Sequence, residues 1–205
     1  PAPRVVPHLS FAEASELAYF GAKVLHPATI LPAVSKNIPV RILNSREPAN
    51  PGTLITKDAS RDGHLAALAC KRDVTVVDIT STRMFMAHGF LRRLFEVFER
   101  FRTAVDVVTT SEVSVSVTVD DTRKLDEIVT ALSGFAEVTT ESKMAIVSVV
   151  GDRLHDDPSI FGQAIVALGG IPLRLVSQAS SRRTFTFVLR DAEASDAMTR
   201  LHDTF

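Results

Sequence analysis

Between Val105 and Val119, two runs of valine enclose Thr109-Thr110-Ser111-Glu112, and a second carboxylate, Asp106, interrupts the first run. Solvent loops favour Gly, Pro or Asn, and a core strand does not spend four successive positions on groups that need hydrogen-bond partners. The cluster therefore reads as functional groups held at a sheet edge. Asp106 and Glu112 can each meet a cation, an ammonium group among them, through a charge-assisted hydrogen bond. Taken alone, Asp106 reads more readily as an exposed strand aspartate. An anion site lies upstream, where Gly89 opens the segment GFLRRLFEVFERF. A helix start leaves up to four backbone N–H groups unpaired and carries partial positive charge, so a carboxylate can dock on the amides near Gly89, Phe90 and Leu91. Taken alone, Gly89 is equally a residue that lets the turn form.

Such groups act together only on a frame that fixes their spacing. Val74 to Ile79 is β-branched and strand-like, and Phe90, Leu91, Leu94, Phe95, Phe98 and Phe101 follow the spacing of an amphipathic helix. Then come a strand at Val105 to Val108, strict alternation from Val113 to Val119, a helix with Leu125, Ile128, Val129 and Leu132 on one face, and a strand at Val138 to Glu141. The order β-α-β-β-α-β is that of a ferredoxin-like unit, with helices on one face of an antiparallel sheet. Thr110, Ser111 and Glu112 begin its third strand.

The unit recurs. Ala145 to Val150 is a strand, Phe161, Ala164, Ile165 and Leu168 form a helix stripe, Leu173 to Val176 is a strand, and Thr184 to Leu189 alternates again. Setting Ser111 on Ser181, an offset of 70, places Val115, Val117 and Val119 on Phe185, Phe187 and Leu189. This is an internal duplication. The second copy ends after the helix Ala192 to Leu201 without a fourth strand, and the spare strand-like segment Leu65 to Lys71 lies just before copy one. The expected fold is α+β, with two ferredoxin-like units and the first inserted in the second.

The remaining N-terminal part differs in character. Eight of the ten prolines lie at or before Pro51. A helical pattern from Phe11 to Gly21, the segment HPATILPAV, a strand at Val40 to Leu43 and a turn from Glu47 to Gly52 are too little periodic sequence for an independent domain.

Bulk properties exclude several functions. In 205 residues, 23 basic and 24 acidic side chains give a net charge of -1, which leaves no electrostatic footprint for nucleic acid or an anionic membrane. No apolar run approaches the roughly 20 residues needed to cross a bilayer. The single cysteine, Cys70, excludes an internal disulfide and fits a reducing compartment, so the expected location is cytoplasmic. His8, His26, His64, His88, His155 and His202 show no ligand spacing, and no metal is expected. Neither a Walker A loop nor a dinucleotide fingerprint occurs, and Gly169-Gly170 reads as a helix end.

FAEASELAYFGAKVLHPATILPAV, followed by IPVRILNSREPANPGTLI, resembles the end of the catalytic domain of the aspartate kinase family, closest to its monofunctional lysine-sensitive class. VTVVDITSTRM, GFL and VDVVTTSEVSVSVT resemble the first of that family's two ACT regulatory domains. The resemblance implies a remnant of the amino-acid kinase domain at 1–64, a first, effector-binding ACT domain at 72–142, and a second ACT domain made of 65–71 and 143–205. It implies that Lys23 reaches the phosphates of ATP, with magnesium, in a longer parent enzyme. This chain alone, expected to be a fragment, would hold no complete catalytic site and no cofactor. The effector site implied comprises Met84, Met86, Gly89, Phe90, Leu91, Val105, Asp106, Thr110, Ser111 and Glu112. Its occupant would be L-lysine, bound between paired first ACT units of a homodimer. The family's bacterial lysine-sensitive pattern has histidine, and its plant pattern glycine, where this chain has Met86. Threonine, or lysine with S-adenosylmethionine, therefore stays open as effector. A free-standing amino-acid-binding or assembly module, and a parent fused to a second enzyme, are the other readings.

Overall fold

Alternating valines build the strands of the chain, and apolar residues three and four apart build its helices. The computed structural model describes residues 5–22, 27–58, 65–84, 88–178 and 181–205. In chain order the elements are β1 (His8–Ser10), α1 (Phe11–Tyr19), α2 (Pro27–Lys36), β2 (Val40–Ile42), β3 (Thr53–Thr56) and β4 (Leu65–Thr80). They continue with α3 (Phe90–Arg100), β5 (Val108–Thr110), β6 (Ser114–Val119), α4 (Leu125–Ser133), β7 (Glu137–Gly151), α5 (Pro158–Ala167), β8 (Leu175–Gln178), β9 (Thr184–Arg190) and α6 (Ala194–Thr204). One sheet has the order β1-β3-β2, and a six-stranded sheet has the order β5-β6-β4-β7-β9-β8.

The chain divides into two compact units, one of Arg72–Ala145 with Arg190–Ala192, the other of Pro1–Lys71, Ile146–Leu189 and Glu193–Phe205. Arg72–Ala145 holds the first β-α-β-β-α-β repeat. Val77 and Ile79 of β4, Val115, Val117 and Val119 of β6, and Phe90, Leu94 and Phe98 of α3 meet Ile128 and Leu132 of α4 in one buried cluster. In the second repeat Ile146, Phe185, Phe187 and Leu189 of the strands, Ala164 and Leu168 at α5, and Ala197 and Leu201 of α6 are all buried. In the N-terminal segment β1 runs parallel and β2 antiparallel to β3. Helix α1 begins at a capping box, in which Ser10 Oγ accepts from the Glu13 N–H at 3.2 Å and Glu13 Oε2 accepts from the Ser10 N–H at 2.8 Å.

Several boundaries differ from the sequence expectation. Leu65 to Lys71 is not a separate strand but the first part of the continuous β4, and the segments expected at Val138 to Glu141 and Ala145 to Val150 are one strand, β7. The strands expected at Val105 to Val108 and Leu173 to Val176 begin at Val108 and Leu175. The alternation from Val113 starts as a ladder at Ser114. On α3, Leu91 and Phe95 belong to the apolar pattern yet are exposed, because the sheet covers only the stripe through Phe90, Leu94, Val97 and Phe98.

The duplication is visible in the backbone. Asp73 in β4 and Lys143 in β7, 70 residues apart, adopt φ of 57° and 61°, and Lys143 Nζ donates to Asp73 Oδ1 at 3.1 Å. The left-handed region costs an L-residue roughly 1–2 kcal/mol, most for β-branched side chains. Lys143→Val, which simple strand propensity would favour, is therefore expected to destabilise the chain by about 1–2 kcal/mol, and Lys143→Gly to change it by less than about 1 kcal/mol. Urea unfolding of the two variants checks this.

Candidate functional site

Helix α3 begins openly. Its N-cap, Gly89, has φ 83°, and no described side chain caps the first turn. The left-handed backbone calls for glycine here, and the space is clear: an added Cβ would meet nothing within 4 Å. The first internal bond of the helix runs from the Arg93 N–H to Gly89 O at 3.1 Å. Among the described residues no side chain accepts from the amides before Arg93, which lie at the positive end of the helix, an arrangement suited to a carboxylate. Phe90 beside them is buried and Leu91 exposed, and Met84 and Val105 pack on the same core cluster as Phe90.

The segment from Asp106 to Val113 is an edge strand with a bulge at one end and a tight turn at the other. Val108, Thr109 and Thr110 pair with Val117, Ser116 and Val115. Before Val108 two residues face one. The Asp106 N–H donates to Thr118 O at 2.9 Å, the Val107 N–H donates to Thr118 Oγ1 at 2.9 Å, and the Thr118 N–H donates to Val107 O at 3.0 Å. This β-bulge ended the regular strand earlier than the valine run suggested. A bulge re-aims the side chain it carries, and here it carries Asp106, which is half-buried between buried Val107 and half-buried Val105.

At the other end, Ser111, Glu112 and Val113 form the hairpin turn rather than the start of β6. Ser111 Oγ accepts from the Ser114 N–H at 3.1 Å and lies 2.6 Å from Ser114 Oγ. A serine hydroxyl thus supplies the turn chemistry that Asn or Gly usually provides. Thr110, Ser111 and Glu112 are all exposed. The Ser81 N–H donates to Val113 O at 2.8 Å, which fixes the chain just after β4 against this turn.

The second repeat has the same scaffold with the chemistry reversed. The Ser111 turn bond recurs 70 residues on, where the Arg183 N–H donates to Ser181 Oγ at 3.4 Å, as the Val113 N–H does to Ser111 Oγ at 3.4 Å. The Arg174 N–H donates to Val188 O at 2.7 Å while Leu175 pairs with Val188, so Arg174 and Val188 stand where Asp106 and Thr118 stand in the first repeat. Arg182 replaces Glu112. The start of α5 is closed by its own carboxylate, since Asp157 Oδ1 accepts from the Ser159 N–H at 3.0 Å. An ammonium-bearing carboxylate therefore suits the first repeat and not the second.

The structure brings Met84, Phe90 and Val105 together and places Asp106 and the Ser111–Glu112 pair at opposite ends of one edge strand. Lys23 and Met86 lie outside the described residues. Sequence reasoning missed Thr118, whose only signal was a hydroxyl inside the alternating valines. Among the described residues no group of three His, Cys, Asp or Glu side chains could hold a metal ion, and no helix is long and apolar enough to cross a membrane. An apolar cavity of about 430 Å³ lined by Leu9, Leu17, Ile42, Leu43, Ile55 and Leu68 lies in the other unit and includes none of the residues expected from the sequence to bind an effector.

The repeats are thus ferredoxin-like units of the ACT class, and comparison with known proteins agrees. The ACT domain family model matches residues 147–205 and the amino acid kinase family model matches residues 1–44. Aspartokinase 3, chloroplastic, of Arabidopsis thaliana is 41% identical over 98% of this chain and 38% of its own length. E. coli aspartokinase III in complex with lysine and aspartate (T-state) superposes with a TM-score of 0.85 at 34% identity, over 98% of this chain and 46% of that one. A C-terminal regulatory domain of aspartate kinase from Porphyromonas gingivalis superposes with a TM-score of 0.61 at 33% identity, over 67% of this chain and 95% of that one. The chain belongs to the aspartokinase family, and its repeats are that family's ACT regulatory region. It spans less than half the length of the Arabidopsis and E. coli proteins.

Proposed function

We propose that the first repeat senses an end-product amino acid, L-lysine, for feedback inhibition of an aspartate kinase. One contrast carries this reading. Among the described residues no side chain caps the α3 start, and its sheet edge bears Asp106 and Glu112, whereas the α5 start is capped by Asp157 and its edge bears Arg174 and Arg182. In the proposed complex the effector carboxylate accepts from the amides near Gly89, Phe90 and Leu91. Its ammonium groups meet Asp106, Glu112 and the hydroxyls of Thr110 and Ser111. Met84, Met86 and Val105 line the aliphatic part. That E. coli aspartokinase III has been crystallised with lysine supports lysine over threonine, or lysine with S-adenosylmethionine.

The site is proposed to be completed by a second copy. Asp106 and Ser111 are five residues apart on an extended strand, about 16 Å, whereas lysine spans six bonds of about 1.5 Å between its carboxyl carbon and Nζ. One lysine cannot reach both in one chain. Antiparallel pairing of two β5 edges brings Asp106 of one chain to the Ser111–Glu112 turn of the other and removes the unpaired edge. Leu91 at 41% and Phe95 at 36% exposure supply apolar surface for such a homodimer.

In the parent enzyme, an upstream kinase domain joined to the remnant 1–64 would phosphorylate the side-chain carboxylate of L-aspartate with ATP and magnesium, with Lys23 neutralising phosphate charge. The division into 72–142, and 65–71 with 143–205, is the domain reading that goes with it, and the single Cys70 supports a reducing, cytoplasmic setting. Inhibition follows if lysine binds the less active state more tightly. Calorimetric titration of the chain with L-lysine, L-threonine and S-adenosylmethionine tests the sensing role. Saturable lysine binding with one site per chain is expected, and absence of binding by all three at millimolar concentration would refute it.

A further inference from the structure

We infer that Thr118 is a positioning residue of the effector site, acting through Asp106; the inference rests on the site reading above. Thr118 is fully buried and lies opposite the bulge, with its backbone and side chain both engaged. Its carbonyl accepts from the Asp106 N–H at 2.9 Å, its Oγ1 from the Val107 N–H at 2.9 Å, and its N–H donates to Val107 O at 3.0 Å. A regular ladder offers one carbonyl to one N–H. Here two successive N–H groups, from Asp106 and Val107, face one residue, and the hydroxyl supplies the second acceptor. The two bonds hold the peptides on either side of the Asp106 Cα, and with them the direction in which the Asp106 side chain leaves the strand. A half-buried carboxylate that must meet a cation gains from such support, because an acceptor already in place loses little freedom on binding.

The second repeat serves as an internal control. The same main-chain bond, from the Arg174 N–H to Val188 O, forms at 2.7 Å with valine in the place of Thr118. The fold therefore tolerates valine opposite the bulge, and the hydroxyl occurs in the repeat that carries Asp106. Its role concerns the site rather than the sheet.

The test is lysine calorimetry on the 205-residue chain and its variants Thr118→Val, Thr118→Ser, Asp106→Ala and the double variant Asp106→Ala/Thr118→Val. Thr118→Val is expected to bind lysine about 10-fold more weakly, the loss of one neutral hydrogen bond's worth of placement. Thr118→Ser, which keeps the acceptor, is expected to restore binding to within about threefold of the unmodified chain. If Thr118 acts through Asp106, the double variant binds no more weakly than Asp106→Ala alone, an outcome that a general loosening of the sheet does not give. Should Thr118→Val fail to fold, Thr118→Cys, with a weak acceptor of similar volume, takes its place and is expected to show the same loss. Full lysine affinity in Thr118→Val, or losses that add in the double variant, overturns the inference while leaving Asp106 in the site. Unchanged binding by Asp106→Ala overturns the site reading and the positioning role with it.

Discussion

Asp106→Ala is expected to weaken lysine binding by about 10- to 150-fold without unfolding the chain, because a charge-assisted hydrogen bond to a partly desolvated cation is worth roughly 1.5–3 kcal/mol. The fold should survive because what holds the bulge is the Asp106 backbone N–H, which alanine retains, and because the half-buried side chain lies outside the apolar cluster of the first repeat. Asp106→Asn should fall between the two, since it keeps the hydrogen bond and loses the charge. In a reconstituted parent enzyme Asp106→Ala should relieve inhibition by lysine and leave turnover without lysine nearly unchanged, the residue being placed outside the kinase part. Calorimetry of the chain reads the first effect, and lysine titration of kinase activity reads the second. Lysine affinity within twofold of the unmodified chain would make Asp106 an ordinary edge aspartate.

The repeat and its elements were legible in the sequence because their signal is periodic. Valines two apart in β6 and phenylalanines two apart in β9 announce strands, and the offset between Ser111 and Ser181 holds in the structure down to the same turn bond. What was not legible depends on which of two neighbouring N–H groups faces a carbonyl. The valine run from Val105 gives no sign that Asp106 and Val107 both face Thr118, so the strand was expected to start three residues before β5 does. The constant offset also misleads locally. It sets Asp106 on Val176, whereas the ladder sets it on Arg174, because the connection before β8 differs in length from that before β5. The reversal of charge between the repeats emerges only from the register.

The polar stretch at Thr109–Glu112 illustrates a second limit. Its lack of Gly, Pro and Asn argued against a turn, yet Ser111 makes one by accepting from the Ser114 N–H with its own side chain. Ser111→Ala thus acts on the hairpin as well as on any ligand, which makes Glu112 the cleaner probe of that end. Leu91 and Phe95 show a third limit. Periodicity counts apolar positions without showing what covers them, and these two satisfy the helix pattern while facing away from the buried cluster.

Two variants that each bind lysine poorly are expected to recover tight binding when mixed. In the proposed dimer each site takes Asp106 from one chain and the partner subunit's Glu112 from the other. In Asp106→Ala every site lacks the first carboxylate, and in Glu112→Ala every site lacks the second. A mixed dimer gathers both defects into one site and leaves the other intact. Random exchange between equal amounts makes about half of the dimers mixed, so roughly a quarter of all sites should regain the affinity of the unmodified chain. Mixing the purified variants under conditions that allow subunit exchange, followed by calorimetry, would show a tight phase of that stoichiometry above a weak background. A site contained within one chain predicts no tight phase at any mixing ratio. The span of β5 makes the same distinction by geometry, since Asp106 and the Ser111 turn are separated by more than one amino acid can bridge and meet only when one edge runs antiparallel against another.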